Sequence, residues 1–390
     1  MEKKNLLVIG ESYNTFQKDP TDILANNFNN VSMFIKYNPV AEISRYISIP
    51  ALKSFDLRSK IDLANKPPNL DVILAPVFYA PLDSHYKKIG EKLYRTVDKI
   101  IMKKNINFNL IHSHFTWPAG YVGMRLKERY NVPFIVTAHG YDIYRLPFKD
   151  KDWMEKIITV LNSADHIITV SNNNLKFIQK LKVNNHVTVL PNGFKSDLFY
   201  LQNSSKCRKI LNLPIDKKII LSVGNLAEVK GYRYLIEAMQ KISTYRKDVL
   251  CIIVGTGPLE QSLRKQINAA NLQSHFVLMG RKPHNEIPLW INACDLFVLP
   301  SLNEGNPTVM FECLGCGTPF IGTKVGGIPE IIKSDDYGLL VDPKNSYDLA
   351  QKIEIGLNKN WDEGKIINHA EQYRWDRIAS QIMKVYSDTI

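Results

Sequence analysis

"LCIIVGTGP", residues 250–258, is an unbroken apolar run that stops at two glycines and a proline. Leu250 to Val254 contain no polar position, so the run lacks the alternation of a strand with one wet face and fits a strand covered on both sides. The same pattern recurs outward from it, as "IILSVGN" (219–225), "HFVLMG" (275–280), "LFVLPS" (296–301), "PFIGT" (319–323) and "GLLVD" (338–342). The first half repeats the arrangement with "NLLVIG" (5–10), "DVILAP" (71–76), "NLIHSHF" (109–115), "PFIVTAHG" (133–140), "HIITVS" (166–171) and "VTVLPNG" (187–193). Helix-like stretches at 86–104 and 119–130 separate several of these runs. Buried strands alternating with helices predict parallel sheets, hence two doubly wound α/β domains in tandem.

At 390 residues the chain exceeds the size at which one core keeps growing, which also predicts two domains. A turn signal and a polar stretch, "PNGFKSDLFYLQNSSKCRK" (191–209), place the boundary so that the domains span 1–197 and 198–372. In the remaining segment, 373–390, Trp375, Ile378, Ile382 and Val385 recur at helical spacing, and this helix is expected to pack back across the domains.

The apolar content of 45% and charged content of 23% describe an ordinary globular protein. The first apolar run, Leu6 to Ile9, is too short for a secretory signal, and nothing approaches the roughly 20 apolar residues of a membrane span. A cytoplasmic location is expected. Five scattered cysteines fit a reducing compartment, and Cys313 and Cys316 form a CxxC with no second ligand pair, so no metal is expected there. The net charge of +12 predicts a polyanionic partner: nucleic acid, an anionic membrane surface or a phosphorylated ligand.

Open parallel sheets bind ligands beyond the carboxyl ends of their strands, so the residues following each run are the candidates. "SLNEGNPTVMFECLGCGTPF" (301–320) carries two acids, Glu304 and Glu312, around a loop and a helix start. Asn306 is a favoured N-cap and Pro307 suits the first helical position. Glu304 then lies in the entry loop and Glu312 in the second turn. The first-turn N–H groups, including those of Thr308 and Val309, make an anion site suited to phosphate. Glu312 lies among apolar neighbours, and an ionised carboxylate there needs donors, which sugar hydroxyls could supply.

Residues 301–320 resemble the EX7E region of the retaining glycosyltransferases of family 4, and the resemblance covers essentially the whole chain. It implies the GT-B fold, with two Rossmann-like domains facing a central cleft. It also implies that Glu304 contacts the donor sugar, that Glu312 holds the ribose hydroxyls, and that the backbone from Asn306 through Pro307 and Thr308 to Val309 lies near sugar and diphosphate. "VGNLAEVKG" (223–231) is similar to the family's diphosphate loop, giving Gly224, Asn225 and Lys230 donor-binding roles, with Lys230 on phosphate. Asn225 stands where the family commonly has arginine. "GTGPLEQSL" (255–263), "MGRKPHNEIPLW" (279–290) and "VGGIPEII" (325–332) also resemble family segments, which places Gly280 and Arg281 beside the base. "IHSHFTWPAG" (111–120) and "TAHGYDI" (137–143) resemble the acceptor side, with His114, His139 and Asp142 as candidates and His139 reaching the reacting sugar. His112 is balanced between a structural and a functional role. "IGESYNTF" replaces the Gly-Gly loop common in the family, which leaves Gly10 without an assigned contact.

The resemblance implies a metal-independent, retaining hexosyltransferase without cofactor, with Glu304, His139 and Lys230 catalytic. It would move a sugar from a nucleoside diphosphate, with uridine favoured, to a lipid-linked or glycan acceptor. A sugar-nucleotide epimerase of the same fold and a noncatalytic nucleotide-sugar or membrane-binding protein are the alternatives. A pyridoxal-phosphate phosphorylase lacks a recognisable lysine motif, and the P-loop and dinucleotide fingerprints are absent. Asp150 and Asp152 spell a DxD, read here as solvated surface. In 85–104, Lys88, Lys92, Arg95, Lys99 and Lys103 form a basic row beside an apolar row of Ile89, Leu93, Val97, Ile100 and Ile101. That row is a candidate for an anionic membrane surface, and peripheral attachment would follow. No aromatic-interleaved platform accompanies the charge, so nucleic acid is not an expected partner.

Overall fold

The computed structural model describes residues 4–42, 60–80 and 82–390. The chain divides into two compact units, residues 1–191 with 375–390, and residues 192–374.

The first unit is built on a parallel sheet of β1 (Leu6–Gly10), β2 (Val31–Tyr37), β3 (Leu70–Pro76), β4 (Leu110–His114), β5 (Phe134–Ala138), β6 (His166–Thr169) and β7 (Val187–Val189). Their spatial order is β3-β2-β1-β4-β5-β6-β7. The second unit carries β8 (Lys218–Val223), β9 (Val249–Val254), β10 (Phe276–Gly280), β11 (Leu296–Leu299), β12 (Phe320–Thr323) and β13 (Gly338–Val341) in the order β10-β9-β8-β11-β12-β13. Each is a doubly wound sheet, as the apolar runs predict, and the strand order reverses between β1 and β4 and again between β8 and β11. A reversal forces the following loops to diverge onto opposite faces, which opens a crevice at the strand ends.

"VSMFIKY" at β2 is the strand that the sequence patterning missed. Ser32 and Lys36 interrupt its apolar character, and Lys36 is tolerated at 4% exposure because its Nζ lies 2.9 Å from Glu11 Oε2. A buried ammonium needs such a partner to offset its desolvation.

Two of the sequence boundaries shift. The second unit starts at Asn192 rather than 198, since Asn192 and Phe194 already bond within it: Asn192 N–H donates to Asn306 Oδ1 at 2.8 Å, and Phe194 N–H to the Tyr373 carbonyl at 3.1 Å. The last helix, Trp375–Thr389, groups with the first unit. Its Trp375, Ile378, Ile382, Val385 and Tyr386 enter the same core cluster as Leu6, Val8 and Val31.

The helix Ile89–Lys104 buries Ile89, Leu93, Val97 and Ile101 against the first sheet and leaves Lys88, Lys92, Arg95, Lys99 and Lys103 exposed. Its apolar row is therefore core. Among the described residues no helix is long and apolar enough to cross a membrane.

Candidate active site

In the second unit the candidate residues collect at the carboxyl ends of the strands flanking the reversal. The loop after β8 runs through Gly224 and exposed Asn225 into a tight turn, Glu228–Lys230. The loop after β11 carries Ser301, Glu304, Asn306 and Pro307 into the helix Thr308–Gly315. Gly231 lets the two loops touch. It has φ +64°, and a Cβ there would meet the Pro300 carbonyl oxygen at 2.1 Å, so only glycine fits. Leu302 N–H then donates to the Val229 carbonyl at 2.7 Å, and Lys230 Nζ reaches Glu304 Oε1 at 2.6 Å. Ser301 Oγ donates to the same carboxylate oxygen, also at 2.6 Å. From the other side Gly326, at φ +55°, lies so close to the backbone of Glu304 that a Cβ would stand 1.9 Å from its carbonyl oxygen. Gly327 N–H bonds the Gly305 carbonyl at 2.8 Å, which fixes the loop from "VGGIPEII".

Glu312 is buried in the second turn of its helix and its Oε1 lies 2.8 Å from His284 Nε2. Burial of this carboxylate was legible from its apolar neighbours. The histidine was not, because no local periodicity links positions 284 and 312. Gly280, at φ +75°, ends β10, and exposed Arg281 follows it at the carboxyl end of the strand.

Asn306 departs from the sequence expectation. The N-cap position is taken by Pro307, without a side-chain cap. Asn306 instead accepts from Asn192 N–H through Oδ1, and its carbonyl accepts from Asn192 Nδ2 at 2.7 Å. Its Nδ2 is buried with no hydrogen-bond partner among the described residues. An amide donor left unpaired beside a helix start is suited to a phosphate or hydroxyl oxygen. Thr308 and Val309 are half-buried in the first turn.

In the first unit His114 ends β4 and His139 follows β5. His114 Nδ1 and His139 Nε2 lie 3.1 Å apart and share one proton between them, with the rings stacked at 5.3 Å between centroids. Phe16 and Phe115 pack on His139. Burial pushes the His114 imidazole down to about 4, and burial with the nearby His114 holds His139 well below the ordinary range. Both are neutral near pH 7. His139 Nδ1 is buried and has no partner among the described residues, so this ring can offer a ligand one neutral hydrogen bond.

His112 and Asp142 are both held by hydrogen bonds within the first unit. His112 bonds the Tyr386 hydroxyl at 2.6 Å and Thr137 Oγ1 at 2.7 Å, which occupies both ring nitrogens. The Asp142 carboxylate accepts from the backbone N–H of His139 (3.1 Å), Gly140 (2.8 Å) and Thr116 (2.8 Å). It thus pins the turn that aims His139. Burial nevertheless raises its pKa.

Asp150 and Asp152 are surface residues tied to lysines. Asp150 caps the helix Lys151–Ser163 through Trp153 N–H, and Lys87 Nζ lies 2.8 Å from Asp150 and 3.0 Å from Asp152. All five cysteines are buried free thiols. Among the described residues no group of three or more His, Cys, Asp or Glu side chains is placed to hold a metal ion.

A family profile described as "Glycosyl transferases group 1" matches residues 203–373, and one described as "Glycosyltransferase Family 4" matches residues 62–198. An uncharacterized glycosyltransferase of Methanocaldococcus jannaschii is 30% identical over 305 residues, covering 76% of this chain and 79% of the relative. The chain belongs to the group 1, family 4 glycosyltransferases. In Bacillus subtilis a protein named for teichuronic acid biosynthesis is 30% identical over 264 residues, 67% of this chain and 64% of its own length. The fold is shared with solved members of the GT-B group. Sucrose-phosphate synthase of Thermosynechococcus elongatus superposes with a TM-score of 0.80 at 23% identity, covering 99% of both chains. HepE of Anabaena, crystallised with UDP and with UDP-glucose, gives 0.75 at 20% identity over 99% of this chain and all of its own.

Proposed function

We propose that this glycosyltransferase is a retaining, metal-independent enzyme that moves a hexose from a nucleoside diphosphate, UDP in the first instance, to a lipid-linked or glycan acceptor. The observation that carries the reading is the Lys230–Glu304 contact at the β8/β11 reversal, beside a helix start and eight positions before the buried Glu312. A diphosphate leaving the anomeric carbon takes the bonding pair with it and leaves an oxocarbenium-like sugar, so the chemistry needs fixed positive charge and N–H donors at the leaving oxygen. Lys230 has three N–H donors, enough to keep one on Glu304 and turn others to phosphate. The first-turn N–H groups of Thr308 and Val309 and the unpaired Asn306 amide add donors. Glu304 orients the sugar through its hydroxyls, Glu312 takes the ribose, and Gly224, Asn225, Gly280 and Arg281 border diphosphate and base. The acceptor hydroxyl attacks the face the diphosphate leaves, and its proton passes to the departing phosphate oxygen. His139, neutral and with one free nitrogen, gives the reacting sugar a hydrogen bond. The crystallised HepE complexes with UDP and UDP-glucose support the choice of donor.

Incubation with a panel of sugar nucleotides and acceptors tests this reading. Transfer with retained anomeric configuration, lost in Glu304→Ala, is expected. Epimerised donor formed without acceptor, or a covalent glycosyl adduct on Glu304, would overturn it.

Peripheral attachment to anionic membranes on the cytoplasmic face is proposed on a separate observation. Phe78 and Leu82 are 64% and 57% exposed, and Lys92 Nζ of the basic row donates to the Phe78 carbonyl. Apolar side chains beside lysines suit a lipid interface, where each cation near the surface contributes about 1 kcal/mol. Sedimentation with phosphatidylglycerol vesicles that is unchanged in a Lys88→Glu, Lys92→Glu variant would count against it.

A further inference from the structure

His284 has no role in the reading above, yet it is the side chain that holds Glu312. It opens the short turn His284–Glu286 on the rim that also carries Gly280 and Arg281. Pro283 precedes it with φ −57°, which restricts the backbone at the point where the imidazole projects. The ring packs against Phe199, itself 1% exposed, at 5.2 Å between centroids. Its Nε2 lies 2.8 Å from Glu312 Oε1, with side-chain exposures of 27% for the histidine and 7% for the glutamate. An ionised carboxylate only accepts, so this nitrogen must carry the proton and donate.

The arrangement parallels that of Glu304. Each acid of the pair is met by a basic side chain from a different strand-end loop: Lys230 after β8 for Glu304, and His284 after β10 for Glu312. The two donors differ in what they fix. An ammonium on a flexible stem supplies charge that can be shared with a phosphate, whereas a packed imidazole offers one N–H in one direction. A hydrogen bond from a ring wedged against Phe199 sets the rotation of the carboxylate group and engages one oxygen. The second oxygen is then held for other donors.

We infer that His284 is the positioning residue for ribose recognition: Nε2–H fixes the Glu312 carboxylate so that its second oxygen accepts the ribose hydroxyls of a nucleoside diphosphate. The inference rests on the proposed role of Glu312.

The test compares a ribonucleotide with its 2′-deoxy counterpart. UDP, GDP and ADP are titrated calorimetrically into the wild-type protein, and the tightest binder is carried forward with its 2′-deoxy form. His284→Ala should weaken the ribonucleotide about tenfold and leave the deoxynucleotide within about twofold, since only the former loses a hydrogen bond to a charged group. His284→Gln, which keeps an N–H donor, should recover most of the loss. In turnover, the KM for sugar nucleotide should rise in His284→Ala with little change in kcat, because a ground-state contact has gone. Equal weakening of both nucleotides, or no weakening, overturns the inference. Glu312→Ala separates its failure from that of the underlying reading. If Glu312→Ala removes the preference for the ribonucleotide while His284→Ala does not, only the role of His284 falls. If Glu312→Ala leaves the preference intact, or no nucleoside diphosphate binds the wild type, the assignment of Glu312 falls and takes the inference with it.

Discussion

The two units build their strand-end sites from opposite chemistry. In the second, both acids meet basic side chains from neighbouring loops, Lys230 on Glu304 and His284 on Glu312. In the first, the polar groups at the strand ends are neutral or answered by backbone: His114 against His139, His112 between Tyr386 and Thr137, and Asp142 among three peptide N–H groups. A site that keeps a lysine poised against a carboxylate can rearrange around a charged ligand. A site of desolvated imidazoles discriminates by hydrogen-bond geometry instead. The difference suits a diphosphate on one unit and hydroxyls on the other.

The largest effect is expected where charge is removed. Lys230→Ala should lower kcat by about 10³-fold, in the range seen when one donor to a developing anion is lost, while leaving the unfolding midpoint close to wild type. Product formation under saturating donor measures it, and a loss below about tenfold would show that the leaving group is stabilised elsewhere. Asn225 is exposed in the same loop and carries no charge, so no second cation stands at that position beside Lys230.

On the first unit the corresponding lever is pH. Burial lowers the imidazoles of His112, His114 and His139, so the folded protein stays neutral where the unfolded chain takes up protons. Stability from these groups is complete above the unfolded value of about 6.5 and is lost as pH falls toward the folded value, about 4 for His114. His114 alone would cost about 3 kcal/mol by pH 4. Urea unfolding between pH 7 and pH 4.5 should show the decline, and His114→Gln should flatten it. A wild-type profile as flat as that of the variant would mean that these rings are solvated and titrate normally.

Fold and site were not equally legible in the sequence. Unbroken apolar runs such as Leu250–Val254 announce buried parallel strands because both faces must be dry, and they fail only where a lysine is neutralised in the core, as Lys36 is by Glu11. The acids at 304 and 312 were readable because an acid in an apolar helix requires an explanation. Their partners were not, since Gly231 and Gly326 bring distant loops together by backbone approach, and chain spacing carries no trace of that contact. Asn306 was identified as a residue of interest but expected to cap the helix, because an Asn before a helix offers several hydrogen-bond options that only the folded neighbours decide.

His139 sits between the two regimes in size of effect. Its replacement by alanine should lower kcat/KM about tenfold to hundredfold, as expected for one hydrogen bond made to a reacting sugar. His139→Gln, which keeps a neutral donor and acceptor, should recover part of it. Equal losses in both variants would point to packing against Phe16 and Phe115 rather than to hydrogen bonding.

The smallest effect sharpens the comparison most. Tyr386 is 1% exposed on the last helix and its hydroxyl bonds His112 Nδ1 at 2.6 Å, so the bond joins the chain's final turns to the centre of the first sheet. Tyr386→Phe removes one oxygen and little volume, leaving a buried ring nitrogen without its partner. The cost should be about 1–3 kcal/mol of stability, read as a lower urea midpoint at unchanged slope. Nucleotide affinity should stay within about twofold of wild type, because none of the carboxylates or cations of the second unit is touched. A fall in nucleotide affinity with no loss of stability would reverse the assignment, making the last helix part of donor binding rather than a fastening of the first sheet.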